Sequence, residues 1–318
     1  MMGKQKLELL SWGLFRKTLG LLFVGVHCTA CATANTLHPT TMNFQSPKLD
    51  IRAQLSSQEV LPGTIVLIRL ESSQMLQSVP VMGEFEGITF PFFPENPQGG
   101  GGSQAVLGIP YDRKPGPGII YVTLGEGASA SHLEVALNVF PGEYPSESLR
   151  VDSRRVNPTR RKDLQRIRAE QSEVGAIYQR VTQQKLWQGP FVLPIHSKIT
   201  SPFGTRRIYN GAVRNYHPGL DLRAPQGTPV RASAPGIVVL AKSLFFTGNT
   251  VILDHGYGIV TLYAHMSRLS VKLGQRVEMQ QKLGLSGKTG RVNGPHLHWQ
   301  AVVHQVKINP LGLTQVMR

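Results

Sequence analysis

With 318 residues, 41% of them hydrophobic and only 17% charged, the chain is too apolar for intrinsic disorder and long enough for about two domains. A formal net charge of +15 implies attraction to polyanions: nucleic acid, anionic lipid headgroups or an acidic cell wall. No aromatic–basic nucleic-acid motif accompanies that charge, which argues against nucleic acid as the partner.

Residues 1–34 read as an export signal. Lys4, Lys6, Arg16 and Lys17 supply positive charge, residues 19–26 an apolar core, and Ala32-Thr33-Ala34 a small-residue cleavage site. The apolar run is short for a bilayer span, so cleavage is expected over an uncleaved anchor. Both cysteines, Cys28 and Cys31, fall inside this segment. The mature protein would then hold no thiol and no disulfide, and the residues before either cysteine fit a lipoprotein cleavage point poorly. The expected location is the periplasm or the extracellular envelope.

Residues 35–48 are polar and read as a linker. From 49 to 140 the pattern predicts a β-sandwich, immunoglobulin-like in outline. Alternating runs at 64–70, 118–124 and 132–139 are separated by Pro-Gly turns such as Pro62-Gly63 and Pro115-Gly116-Pro117-Gly118. Residues 98–103, with four consecutive glycines, read as a loop tip, and His132 as a strand surface residue. Residues 141–190 combine a linker with a basic helix expected from about 158 to 183. There Leu164, Ile167, Val174, Ile177, Tyr178 and Val181 recur at helical spacing. Arg160, Arg161, Lys162, Arg166 and Arg168 fall on its other side, read as a solvated face more than as an anion-binding one.

Short glycine-rich strands follow over 191–318. Residues 249–254 and 259–263 form a hairpin across His255-Gly256-Tyr257-Gly258, and no helical period appears after Gln183. Three motifs concentrate metal chemistry here: His217-Pro218-Gly219-Leu220-Asp221, Leu262-Tyr263-Ala264-His265 and His296-Leu297-His298. On a strand, residues two apart share a face, so His296 and His298 emerge together while Leu297 and Trp299 point to the packing side. Two imidazoles and one carboxylate make a catalytic zinc shell with a fourth position for water, whereas a structural site closes with four ligands and favours cysteine. Spacing alone leaves open which of His296 and His298 binds the metal. The remaining histidines of this region, His196, His255 and His304, read as turn or surface residues. Arg206, Arg207, Arg214 and Arg223, clustered around the first motif, suit substrate carboxylates or solubility equally.

These three motifs, in this order, resemble the lysostaphin-like (LytM-type) zinc metallopeptidases that cleave peptide bonds in peptidoglycan. Ser201-Pro202-Phe203-Gly204, the 224–230 segment Ala-Pro-Gln-Gly-Thr-Pro-Val and Gly248-Asn249-Thr250 extend the resemblance, which covers about 191–313. It implies a mainly β protein ending in an antiparallel metallopeptidase domain of the duplicated-hybrid-motif type. It further implies one Zn2+ on His217, Asp221 and His298, with His265 and His296 catalytic, and peptidoglycan peptide stems as substrate. An anionic wall or membrane surface is the further partner that the charge suggests. Tyr209 and Tyr216 are candidates for an oxyanion-stabilising tyrosine. The competing reading is a catalytically silent relative that binds the wall and activates another hydrolase; it is disfavoured because such relatives usually lack ligands that this chain retains.

Overall fold

The computed structural model describes residues 40–46, 49–72, 76, 79–96, 102–149, 158–209 and 212–317. The export signal with its two cysteines, and most of the glycine run at 98–103, lie outside the described residues.

The amino-terminal strands form two facing sheets. One runs in the order Thr40–Ser46, Leu49–Leu55, Ile65–Ser72, Ser103–Gly108 and Phe93–Pro94. The other runs Glu59–Val60, Ser131–Val139, Gly116–Leu124, Val81–Phe85 and Ile88–Pro91. Alternation along each strand sends one set of side chains inward. Ile51, Val66, Ile68, Leu70, Phe85, Phe90, Ile120 and Val135 are among those that close the core between the sheets.

The linker expectations are corrected in two places. Thr40–Ser46, inside the expected 35–48 linker, pairs along its whole length with Leu49–Leu55. Ser146–Leu149, inside the expected 141–158 linker, adds in parallel to Arg206–Tyr209. Both are polar segments recruited as edge strands through backbone hydrogen bonds, which leave no trace in hydrophobic pattern.

The carboxy-terminal part is built on one large antiparallel sheet in the order Ile199–Ser201, Leu220–Arg223, His296–Val303, Ile259–Met266, Gly248–Gly256, Gly236–Leu244 and Arg276–Val277. It is covered on both faces. Leu220, Leu222, Leu297, Trp299, Tyr263 and Val251 belong to the core on one side. On the other, Leu240, Ile252, Leu262 and Val302 pack against Val174, Ile177 and Tyr178 of the helix Arg161–Gln179. Strand Ile259–Met266 is therefore buried at every position.

The helix is shorter than its periodicity suggests. Arg180 already has extended backbone angles. Beyond it, Thr182 Oγ1 donates to Asp254 Oδ2 at 2.6 Å and the Tyr257 amide donates to the Thr182 carbonyl at 2.8 Å. These tertiary bonds, at a β-branched residue, win over helix continuation. A second helix, Leu311–Val316, corrects the expectation of none after Gln183; two turns are too few to register as a period.

A third apolar cluster joins the two parts. Ile65, Leu67, Phe93 and Val106 of the first sheet share one core with Trp187, Phe191, Ile259, Ala301, Val303, Ile308 and Leu313.

His304 lies in a turn, as expected, but both His255 and His304 are buried, and His255 is in a strand and not in the turn. The hairpin turn is only Tyr257-Gly258, both at positive φ as a type I′ turn requires, so His255 falls inside strand Gly248–Gly256. Its Nδ1–H donates to the Pro235 carbonyl at 2.6 Å and its Nε2 accepts from Thr261 Oγ1 at 2.7 Å. Burial lowers the pKa of both His255 and His304 to about 4. Unfolded imidazoles protonate near pH 6.5, so between pH 6.5 and 4 the unfolded state binds more protons. The stabilisation by each group is complete above pH 6.5 and falls away as pH drops to about 4. Each is expected to cost about 3 kcal/mol over that window. Urea denaturation at pH 7 and pH 4.5 measures it; an unchanged midpoint would contradict the burial argument.

Candidate metal centre

Two adjacent strands hold the first set of groups. In the pair Leu220–Arg223 and His296–Val303, Asp221 lies directly opposite His298, and alternation turns both away from the Leu220, Leu222, Leu297 and Trp299 core. His217 enters from the turn before. Gly219 is needed between them: a Cβ there would lie 2.4 Å from the Trp299 carbonyl oxygen and 2.9 Å from the His298 ring.

The three donors converge. His217 Nε2 stands 2.9 Å from His298 Nδ1 and 3.0 Å from Asp221 Oδ1, and His298 Nδ1 stands 2.9 Å from the same oxygen. All three side chains are buried. The second atom of each group explains the orientation. His217 Nδ1–H donates to the Pro202 carbonyl at 3.0 Å, so the Ser201-Pro202-Phe203-Gly204 turn fixes the tautomer that leaves Nε2 with a lone pair facing inward. The turn is itself held by the Gly204 amide on the His217 carbonyl at 2.9 Å and the His217 amide on the Thr205 carbonyl at 2.8 Å.

Burial, only partly offset by Asp221, lowers the His217 pKa to about 4, which keeps this imidazole neutral. Burial alone would raise the Asp221 pKa, but hydrogen bonds and charge from His217 and His298 outweigh it and hold the carboxyl well below its ordinary value. The buried carboxylate and the two imidazoles bring two nitrogens and one oxygen to within 3.0 Å of one another. A divalent transition-metal ion suits that nitrogen–nitrogen–oxygen set.

His265 and His296 complete a ring of imidazoles. Their ring centroids are 4.9 Å apart, and His265 lies 5.9 Å from His298. His265 Nδ1–H donates to the Thr289 carbonyl and His296 Nδ1–H to the Gly294 carbonyl, both at 2.9 Å. Each ring thereby has its Nδ1 engaged, and His296 Nε2 is 3.7 Å from Asp221 Oδ1. Burial first, then the neighbouring His296 and His298, lowers the His265 pKa well below the imidazole norm. His265 has a positive φ of 63°, rare for a side chain of this size. It occupies a bulge, since the register with Gly248–Gly256 slips between Asn249 and Val251. The bulge re-aims the ring at the end of the paired region, and the His265 amide is held by the Thr247 carbonyl at 2.8 Å.

Asp221, His265 and His296 line a cleft of about 320 Å³ together with Glu147, Ser201, Arg207, Arg223 and Arg291. Arg207 Nη2 donates to Asp221 Oδ2 at 2.7 Å, so one arginine of the cluster has a definite task that spacing could not reveal. It leaves Oδ1 to the imidazoles and holds the carboxylate in plane. Replacing Arg207 by methionine is expected to weaken metal binding about 10–100-fold. Competition against a chromogenic chelator checks this, and unchanged affinity would assign Arg207 to packing alone.

Tyr216 does not line this cleft. It stacks on Tyr111 of the amino-terminal part with centroids 4.0 Å apart, within a group that includes Phe203 and Tyr144. The Tyr209 and Arg214 side chains lie outside the described residues. Also unforeseen was the cover over the far end of the same sheet face, where Gln300 Nε2 donates to Tyr178 Oη of the helix at 3.1 Å. Among the described residues no helix is long and apolar enough to cross a membrane.

Parts of this chain are similar to known proteins. The peptidoglycan DD-endopeptidase ShyA of Vibrio cholerae is 42% identical over 121 residues, which is 37% of this chain and 28% of ShyA. The DD-carboxypeptidase/endopeptidase Mpg of Neisseria meningitidis serogroup B is 40% identical over 119 residues, 37% of this chain and 27% of Mpg. The chain thus spans under a third of the length of these curated relatives. A Pseudomonas aeruginosa protein, crystallised as a candidate peptidase M23, is similar over 80% of this chain and 94% of its own, at 30% identity and a TM-score of 0.62. Residues 215–310, a range that includes His217, Asp221, His265, His296 and His298, match the model of Peptidase family M23. On this match and that whole-length likeness, the chain belongs to peptidase family M23.

Proposed function

We propose that the chain is an exported zinc metalloendopeptidase that hydrolyses peptide cross-links in bacterial peptidoglycan. The observation that carries the reading is the convergence of His217 Nε2, Asp221 Oδ1 and His298 Nδ1 at 2.9–3.0 Å, with two further imidazoles beside them. His217, Asp221 and His298 would hold one Zn2+, which supplies Lewis acidity and brings the pKa of a water from 15.7 to about 7. His265 and His296, each with Nδ1–H tied to a carbonyl, present basic Nε2 atoms to the cleft. Between them they accept the proton of the attacking water and return one to the departing amine. Once protonated, the same nitrogens donate to the oxyanion that develops on the substrate carbonyl. No His-Glu-x-x-His segment occurs in the chain, which favours a histidine over a glutamate as base.

The substrate class is supported by the names of the two curated relatives. Export is supported by the basic, apolar and small-residue order of residues 1–34. Without residues 1–34, which hold four Lys/Arg and one Glu, the formal charge of +15 becomes +12, which suits an anionic wall or membrane surface. The test is to load the purified protein with zinc, measure the metal by mass spectrometry and analyse fragments released from isolated peptidoglycan. Cleaved cross-links that vanish with a chelator and return with zinc are expected. One zinc per chain without cleavage would favour the silent, wall-binding relative instead.

A further inference from the structure

The floor of the cleft carries a two-by-two patch. Asp221 faces His298 across the strand pair, and one step along, Arg223 faces His296. Asp221 and Arg223 are two residues apart and share a face. The first row is the metal set. The second pairs a histidine with an exposed guanidinium that lines the same cleft.

The neighbouring arginines are otherwise engaged. Arg207 is bonded to Asp221, and Arg291 lies over the Phe246 ring, 4.5 Å from its centroid. Among the described residues no hydrogen bond or ion pair holds the Arg223 guanidinium. An arginine kept only for solubility has no need to sit inside a cleft beside a histidine.

The opposite wall carries the opposite charge. Glu147, on the recruited edge strand Ser146–Leu149, accepts from Ser201 Oγ at 3.0 Å, and Ser201 is register partner to Asp221. Negative charge therefore flanks the metal row and positive charge the row beside it. Glu147 turns a substrate carboxylate away from its own side of the cleft, and the guanidinium of Arg223 offers it a partner on the other.

We propose that Arg223 is a specificity-determining residue that binds a free carboxylate on the peptide substrate close to the scissile bond. Two strand residues span about 6.6 Å, and an extended peptide advances about 3.3–3.6 Å per residue. The recognised carboxylate thus lies within about two residues of the bond that is cut. The planar guanidinium fork favours a bidentate carboxylate over a neutral amide. This inference rests on the peptidase reading above and names the substrate chemistry that reading leaves open.

The experiment uses the full-length, zinc-loaded protein and two synthetic cross-linked wall peptides. They are identical except that the carboxylate nearest the scissile bond is free in one and amidated in the other. The wild type is expected to show kcat/KM about 10–100-fold higher for the free carboxylate. Arg223→Gln should erase that preference, chiefly by raising KM for the free carboxylate, with a much smaller effect on the amide. Arg223→Lys should restore part of it. Equal wild-type rates on both peptides, or equal losses on both in Arg223→Gln, overturn the assignment while leaving the peptidase reading intact. A zinc-loaded wild type that cleaves neither peptide nor isolated peptidoglycan overturns the peptidase reading, and this proposal with it.

Discussion

Asp221→Ala is expected to abolish stoichiometric metal and to lower peptidoglycan cleavage by at least about 10³-fold, since the ion supplies several kcal/mol to the transition state. The size of the effect follows from how much converges on one carboxylate. Oδ1 meets His217 Nε2 at 3.0 Å and His298 Nδ1 at 2.9 Å, while Oδ2 accepts from Arg207 at 2.7 Å. Alanine removes the only negative ligand and leaves a largely buried guanidinium, 16% exposed in its side chain, without its counter-charge. Breaking such a pair from one side costs about 3 kcal/mol, so the denaturation midpoint should fall too. Asp221→Asn retains the shape but turns an amide or a neutral oxygen toward Arg207, and should lose metal with a smaller loss of stability. Metal analysis of both variants, alongside cleavage of isolated peptidoglycan, is the check. Full metal content and undiminished cleavage in the alanine variant would remove the basis for the centre.

The closing pair of histidines should separate cleanly. His298→Ala should lose the metal, whereas His296→Ala should keep it and still fall about 10²–10⁴-fold in kcat, the range for a lost proton carrier. The difference comes from which nitrogen looks where. His298 turns Nδ1 into the donor triangle, while His296 spends Nδ1 on the Gly294 carbonyl and leaves Nε2 3.7 Å from Asp221. His265→Ala should behave like His296→Ala. Metal content by mass spectrometry, set against kcat, distinguishes the classes. Loss of metal from His296→Ala equal to that from His298→Ala would overturn the division between ligands and proton carriers.

Much of this centre was legible in the residues alone because it depends on local alternation. A His-x-His on a strand must present both rings on one side. The mainly β architecture was legible for the same reason. Groups that act through tertiary contact were not. Arg207 looked like one arginine among four until its partner, fourteen positions on, was in place. The bulge that re-aims His265 is an insertion relative to a neighbouring strand, invisible without the register. His255 sits beside a glycine-rich turn and His304 in a turn of its own, so both look exposed, yet packing encloses them. Thr40–Ser46 and Ser146–Leu149 are polar strands held by backbone bonds, which composition does not record.

The apolar cluster shared by both parts bears on how such an enzyme can be restrained or released. Ile65, Leu67, Phe93 and Val106 on one side interleave with Trp187, Phe191, Ile259 and Val303 on the other. Swinging the front sheets away as a rigid lid would bare this greasy surface to water, and cutting the chain near Trp187 would do so permanently. The two parts are therefore expected to stay docked whatever occupies the cleft.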